Sequence, residues 1–389
     1  MYTINFDAAG EPIGPVTTQS MTGIHQADFL GQQALAQIRA AVAAGEPFFS
    51  FVNPVMVHYG TCAGPILNIS DYQDDDPFWE LDLAARNGCT NASANENCNI
   101  QTSPCPTLRH AHAADNLTNP HVPSWNAEAS GGVPAAMQRP PATAYENGRQ
   151  DVAFRNRTAS AMDLDDMLGV LLDGLDELGL TENTIICFLS DNGFHLAEHR
   201  LVSGKDHPYD TDVRVPLVIA GPGVAQNASR AHPVAIVDLT ATLVDLFSAP
   251  PPANAPPLDG LSFSGALSAA PPPPAAWRNF SFSEHFGGEV TWWLLRRPLP
   301  GSGDEDAATT FTWWCTNQSE VFDLDADPWQ LANLANNSAR GAGVAQRALP
   351  LAAALARCSG SNCSFPQLPL RPPPADALAC YKTSRVIVA

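Results

Sequence analysis

One helical stripe that runs through a short turn into an apolar strand constrains this chain more than any other feature. Ala161, Leu164, Met167, Leu168, Leu171, Leu172, Leu175 and Leu178 recur at helical spacing within residues 157–180. Gly179 closes the stripe. The run Thr184-Ile-Ile-Cys-Phe-Leu189 then reads directly into Ser190-Asp191-Asn192-Gly193. Six mostly β-favouring apolar residues that end in a turn predict a buried parallel strand, and helix plus strand make an α/β unit. Ligands of open α/β sheets sit at the carboxyl ends of such strands. Asp191 and Asn192 are two hard oxygen donors at that position, suited to a divalent cation. The same four residues also make an ordinary turn, because Gly supplies a positive φ cheaply.

Flanking patterns extend the α/β reading. Residues 1–24 read as a polar strand or turn region, and 25–44 carry Phe29, Leu30, Leu35 and Ile38 on one helical side. Pro47-Phe-Phe-Ser-Phe-Val52 is a second buried-strand candidate, and it leads to His58. Residues 60–150 are rich in Asn, Pro, Gly and Cys and predict a long loop excursion. A strand is predicted over 213–220 and a helix over 237–247. The Pro-rich stretch 249–276 places a domain boundary near 275. Short strands over 280–286, 291–295 and 309–314 then predict a small antiparallel sheet with a helix. The expected division is residues 1–275 and 276–389.

Charge and cysteine content narrow the partners. With 40 acidic against 20 basic residues, net −20, the chain would repel a polyphosphate backbone, so nucleic acid is excluded as a partner. An anionic ligand therefore needs a local cationic pocket. No run of about eighteen apolar residues occurs, so no membrane span is expected. Asn-x-Ser/Thr sequons stand at Asn68, Asn91, Asn116, Asn156, Asn227, Asn279, Asn317, Asn336 and Asn362, where chance gives roughly three. Nine cysteines include Cys89, Cys98 and Cys105 in one loop, and Cys358 and Cys363 five apart. Sequons and cysteines together predict a disulfide-bonded glycoprotein of the secreted, extracellular or lysosome-like compartment. Met1-Tyr-Thr-Ile-Asn-Phe6 has neither the basic start nor the apolar core of a signal peptide.

The longer pattern is more specific than its parts. Ser190-Asp-Asn-Gly-Phe-His-Leu-Ala-Glu-His199, Gly204-Lys205 and Tyr209-Asp-Thr-Asp-Val-Arg-Val-Pro-Leu-Val-Ile-Ala-Gly-Pro-Gly223 resemble the sulfatase family of the alkaline-phosphatase-like superfamily. The resemblance runs from about His25 to about Asn337 and is strongest toward eukaryotic arylsulfatases and N-acetylglucosamine-6-sulfatases. It implies a mostly parallel α/β sheet flanked by helices, with a smaller antiparallel C-terminal subdomain. It also implies hydrolysis of an aryl sulfate or sulfated glycan, with Ca2+ held in part by Asp191 and Asn192. Lys205 matches the lysine that contacts the sulfate, and His58 matches a sulfate-binding histidine. His195 and His199 are placed at the substrate mouth or just behind it. His58, Asp191, Asn192 and Lys205 are expected to converge on one pocket.

Half of the family's set is not in these 389 residues. The formylglycine-forming Cys-x-Pro-Ser-Arg occurs nowhere. Cys105-Pro-Thr-Leu-Arg109 is a lookalike with Pro one place early, and Cys105 reads better as a disulfide partner. No Asp-Asp pair precedes His25. Asp74-Asp75-Asp76 and Asp165-Asp166 read as solvated charges. The chain is expected to be an incomplete sulfatase whose formylglycine segment lies upstream. The rival readings are a secreted glycoprotein that binds sulfated ligands without turnover, and a phosphodiesterase of the same superfamily with a Thr or Ser nucleophile.

Overall fold

A computed structural model describes residues 2–6, 12–18, 25–58, 104, 106–107, 109–201, 203–248, 255–273, 277–278, 280–286, 290–296 and 308–363. The chain divides into two compact units. The first comprises residues 1–120 and 143–182, the second residues 121–142 and 183–389. The small C-terminal sheet does follow the Pro-rich stretch. It shares a unit with the Asp191 strand.

In the first unit, β1 (Tyr2–Phe6) and β2 (Pro12–Thr18) form an antiparallel hairpin. Helix α1 (Gln26–Ala44) ends at Gly45, whose φ of 71° is the left-handed conformation of a C-terminal glycine. It packs against α2 (Ala144–Glu177), with Gly31 facing Met167 and Gly174 facing Leu35. The apolar stripe locates α2, but the helix starts thirteen residues earlier than its apolar part. A capping box explains the start: Thr143 Oγ1 accepts from Glu146 N at 3.2 Å while Glu146 Oε2 accepts from Thr143 N at 2.7 Å. Residues 47–52 form no ladder and leave Phe49 and Phe51 67% and 77% exposed, which corrects the expected buried strand. Apolar composition alone does not provide a neighbouring strand to pair with.

The lookalike segment is spent on structure. Thr107 donates from its backbone N and Oγ1 to the buried carboxylate of Asp163, at 2.8 and 2.5 Å. Arg109 pairs with Asp28 at 2.7 Å and with Asp166 at 2.6 Å. These contacts raise the guanidinium pKa, with the Asp28 hydrogen bond the largest cause. Asp166 is therefore an ion-pair partner and not merely a solvated charge. Cys105 and the 74–76 acidic run lie outside the described residues.

In the second unit, β3 (Ile186–Leu189) pairs antiparallel with β4 (Leu217–Ala220). Every strand pair among the described residues is antiparallel, against the parallel pairing expected for β3. β3 is half-buried, and Leu217 and Val218 of β4 are exposed. The reason is topological. A parallel neighbour requires a crossover, whereas the segment after Asn192 returns beside its own strand. A single helical turn at Asp210–Val213 occupies the start of the expected 213–220 strand, and helix α3 (Val237–Leu246) lies at the predicted position. Cys187 is a free thiol whose pKa is raised by burial, which leaves it protonated and unreactive.

Four antiparallel strands follow in the order β5 (Ser281–His285), β6 (Trp292–Arg296), β7 (Thr309–Trp314) and β8 (Ser319–Asp323). Period-2 alternation sends Trp293, Leu295, Phe311, Trp313 and Val321 to one face. There they pack on Val344, Ala348, Leu351 and Leu355 of α4 (Ala339–Leu355), which Ser338 caps by accepting from Gly341 N at 2.9 Å. Trp292, Leu294, Trp314 and Phe322 face Val133, Met137, Leu201 and Tyr209 on the other side. A sheet covered on both faces explains why its strands read as near-continuous apolar runs. The Cys358–Cys363 disulfide closes the segment after α4, in keeping with the disulfide-bonded chain expected.

Glu320 is wholly buried in this second face. Its Oε1 accepts from Ser130 Oγ at 2.7 Å and Tyr209 Oη at 3.3 Å, and its Oε2 accepts from Trp314 Nε1 at 2.9 Å. Burial pushes its pKa up to about 7 against the pull of those three bonds. His199 stacks on Tyr209 with ring centroids 4.0 Å apart, and burial lowers its pKa to about 4.

Two measurements test this packing. Phe311→Ala should lower unfolding free energy by about 3–5 kcal/mol in a urea titration, since it empties the centre of the sheet. A change under about 1 kcal/mol would contradict the packing. The second concerns pH. Folded Glu320 holds a proton that the unfolded chain releases, so its contribution to stability falls as pH rises from about 4.5 to 7. Unfolded His199 takes up a proton that the folded state refuses, so its contribution rises with pH between about 4 and 6.5. The two slopes oppose each other. Glu320→Gln should expose the rising one and His199→Phe the falling one, each by roughly 2–3 kcal/mol across the window. Identical pH profiles for wild type and both variants would sink this account.

Candidate functional site

Asp191 and Asn192 sit at the carboxyl end of β3, as the sequence predicts. Asp191 is exposed, and its Oδ1 accepts from Asn192 N at 2.9 Å. Ser190 Oγ donates to Asn192 O at 2.7 Å, and Asn192 Nδ2 donates to Gly193 O at 2.8 Å. These local bonds fix the turn and aim Asn192 Oδ1 outward. There it accepts from Lys205 Nζ at 3.1 Å. The structure thus brings Asp191, Asn192 and Lys205 together from both ends of one loop.

Gly193 is required at this turn. A Cβ on it would lie 1.9 Å from the Thr211 carbonyl oxygen, because Gly193 N donates to Asp212 O at 2.7 Å and Phe194 N to Thr211 O at 2.8 Å. Close backbone approach, not positive φ, is the reason for this glycine. One step further, His195 and Gly204 exchange backbone bonds of 2.9 and 3.2 Å, which carries Lys205 to Asn192.

Behind this face lies a buried carboxylate. Asp212 approaches His195 Nδ1 at 2.9 and 3.0 Å and accepts from His207 N at 2.9 Å. Burial alone would raise its pKa. The hydrogen bonds from His195 and His207 prevail and hold it at about 2. Its ionised form is therefore lost only as pH falls below its ordinary range toward 2. His195 and His199 are 1% and 2% exposed, so both side chains are enclosed by protein. His195 orients Asp212, and His199 packs on Tyr209 while its backbone N donates to Ser124 O at 2.8 Å. They read as mouth residues because an outward and an inward histidine look alike in sequence.

His58 belongs to the first unit. It is exposed in a turn whose backbone N donates to Val55 O at 2.7 Å. Arg157 of α2 steadies that turn, Nη1 donating to Val57 O at 2.6 Å. Burial lowers the Arg157 pKa to about 10, which still leaves it cationic at neutral pH.

A cleft of about 860 Å³ in the second unit is lined by Asp191, Asn192, His207, Arg214, Arg230 and Arg296, among others. Arg296 pairs closely with Asp210, and Arg214 lies 3.9 Å from the same carboxylate. Arg230 donates to the carbonyls of Ala266 and Ser268 at 2.6 and 2.7 Å. The same lining carries Asp191, Asp206, Asp210, Asp212, Glu284 and Asp325, so the three guanidinium groups stand among carboxylates. Sequence reasoning missed His207, Asp212 and Arg296. Only the Asp-Thr-Asp context of Asp212 offered a signal.

The oxygen donors fit a hard cation in kind but fall short in number. Ca2+ takes six to eight oxygens, and Asp191 with Asn192 supply at most three. Asn192 Oδ1 already has the Lys205 ammonium beside it. Further ligands must come from elsewhere.

Comparison with known proteins agrees with this geometry. The sulfatase family model matches residues 24–249. An arylsulfatase of Volvox carteri is 29% identical over 397 residues, covering 95% of this chain and 57% of its own length. The N-acetylglucosamine-6-sulfatase of Capra hircus is 30% identical over 246 residues, covering 56% of this chain and 43% of its own length. The chain thus spans about half the length of these relatives. The phosphonate monoester hydrolase of Silicibacter pomeroyi superposes with a TM-score of 0.55 at 20% identity, covering 92% of this chain and 65% of that one. A protein solved with its substrate D-glucosamine-2-N,6-O-disulfate gives 0.50 at 16% identity, covering 87% and 69%. These structural likenesses concern the fold. With more than half of its length matched by the family model, and with Asp191, Asn192 and Lys205 gathered at the end of one strand, the chain belongs to the sulfatase family and carries its alkaline-phosphatase-like α/β fold.

Proposed function

We propose that this protein serves the metal-dependent hydrolysis of sulfate esters, on an aryl sulfate or a sulfated glycan. The observation that carries the reading is the Lys205 Nζ contact to Asn192 Oδ1 at 3.1 Å, with Asp191 beside it on the cleft. A sulfate ester cleaves when charge on its oxygens is neutralised and its leaving oxygen is stabilised. Asp191 and Asn192 would hold Ca2+, which when bound supplies that neutralisation. Lys205 donates charge-assisted hydrogen bonds to the sulfate oxygens and is oriented by Asn192. His58 is proposed as a second donor to the sulfate, on the strength of the family resemblance.

The nucleophile is assigned to a formylglycine outside these 389 residues, since Cys-x-Pro-Ser-Arg does not occur among them. The residues present bind and orient. Binding without a transition-state-specific nucleophile gives little rate. A sulfated-ligand binder without turnover is the reading that remains if no such segment exists in the full-length protein. We also assign the protein to an oxidising, secretory compartment. Asn116, Asn227, Asn317, Asn336 and Asn362 are exposed, and Asn156 is half-buried within α2. Asn68, Asn91 and Asn279 lie outside the described residues. The Cys358–Cys363 disulfide suits the same compartment. Among the described residues no helix is long and apolar enough to cross a membrane.

Three measurements follow from this reading. The 389-residue chain, made in a host that produces formylglycine, should bind Ca2+ weakly and turn over no aryl sulfate; metal-dependent turnover abolished by Asp191→Ala would show that the nucleophile lies within it. Lys205→Ala should weaken binding of a non-hydrolysed aryl sulfate analogue by about tenfold or more in calorimetry, the worth of one charge-assisted hydrogen bond. Unchanged affinity would remove Lys205 from the sulfate site. Secretion from a eukaryotic host followed by enzymatic deglycosylation should lower the apparent mass, and an unshifted band would remove the glycoprotein assignment.

A further inference from the structure

We infer that His195, His207 and Asp212 form a binding site for a divalent transition-metal ion, Zn2+ by the chemistry of its donors, separate from the oxygen donors Asp191 and Asn192. Each residue offers one ligand atom, and these atoms lie within 4.8 Å of one another. Two imidazoles and one carboxylate are the donor set of open zinc sites, which keep a fourth position for water. The hard cation of the Asp191 turn prefers oxygen alone, so the two sites differ in the ion they select.

An ordinary His–Asp hydrogen bond accounts for only part of this cluster. His195 Nδ1 has its partner in Asp212 at 2.9 Å. His207 Nδ1 has none: it is shielded from solvent, has no hydrogen-bond partner, and lies 3.6 Å from Asp212 Oδ2. A buried polar atom without a partner, aimed at a carboxylate that a second imidazole already touches, is the arrangement an ion would complete. The donors are also held in place. Asp212 is oriented by the His207 backbone N at 2.9 Å, and His195 by its paired bonds with Gly204. Such supporting contacts fix ligand geometry before metal arrives.

The site has an entry path. His207 and Asp212 both line the 860 Å³ cleft, while His195 is buried and lies outside its lining. The His207 side chain is 18% exposed, so the open position would face the cleft.

The test uses the full chain, stripped by a chelator and titrated with Co2+. The expected result is the visible d–d absorption of a tetrahedral nitrogen–oxygen site, saturating at one ion per chain, displaced by Zn2+ and untouched by excess Ca2+. His207→Ala should weaken Co2+ binding by more than about tenfold. Asp191→Asn should leave it unchanged, which separates this site from the proposed Ca2+ position. Circular dichroism of the metal-free variants controls for folding, and His207→Gln replaces the alanine variant if that one does not fold. Zn2+, but not Mg2+, should also raise the thermal midpoint of the unsubstituted chain. No d–d band, a band displaced by Ca2+, or equal affinity in the His207 variants would leave these residues as a hydrogen-bonded His–Asp pair only.

Discussion

The buried carboxylate of Asp212 is the interaction on which the rest of the site depends. It meets His195, takes the backbone N of His207, and sits on a segment whose carbonyls receive Gly193 and Phe194. Three stretches of chain, 193–195, 204–207 and 209–213, are thereby gathered around one charge. Were Asp212 neutral or absent, the loop that carries Lys205 to Asn192 would lose its anchor. A buried charge is costly unless fully bonded. Here the bonds prevail over desolvation, and the group stays ionised down to about pH 2.

Next to this charge stands a second buried carboxylate with the opposite fate. Glu320 has three neutral hydroxyl or indole donors and no cationic partner among its hydrogen bonds, so burial prevails and its pKa climbs to about 7. Tyr209 joins the two neighbourhoods: its hydroxyl bonds Glu320 and its ring carries His199. The second unit therefore sets the site against its C-terminal sheet through polar contacts as well as through Trp292, Trp314 and Phe322. The glutamate stands on β8. Its structural task is to hold the sheet face to the loop behind the site.

Much of this was legible in the sequence. The 3.6-residue stripe located α2, and the apolar run before Asp191 located β3. The Thr143–Glu146 pair, which marks the true start of α2, is also a sequence signature, but it stands outside the apolar stripe and was overlooked. Pairing was less legible. Residues 47–52 and 186–189 have similar composition, yet one forms a ladder and the other does not. Strand propensity describes a side-chain surface, and the partner strand is chosen by the rest of the chain.

By itself the sequence determined element type and turn chemistry: helix stripes, apolar strands and the Asp-Asn-Gly turn. It also determined the chemical kinds of donor available, since Asp, Asn, Lys and His carry their chemistry wherever they fall. Tertiary structure alone decided which of those groups face solvent and which are enclosed. His195 and His199 became interior groups, Asp212 stayed charged, Glu320 gained affinity for its proton, and Arg214 and Arg296 met on one aspartate beside the cleft. The physical reason is that solvation and Coulomb energy depend on distances between residues remote in sequence, and those distances exist only once the chain has folded.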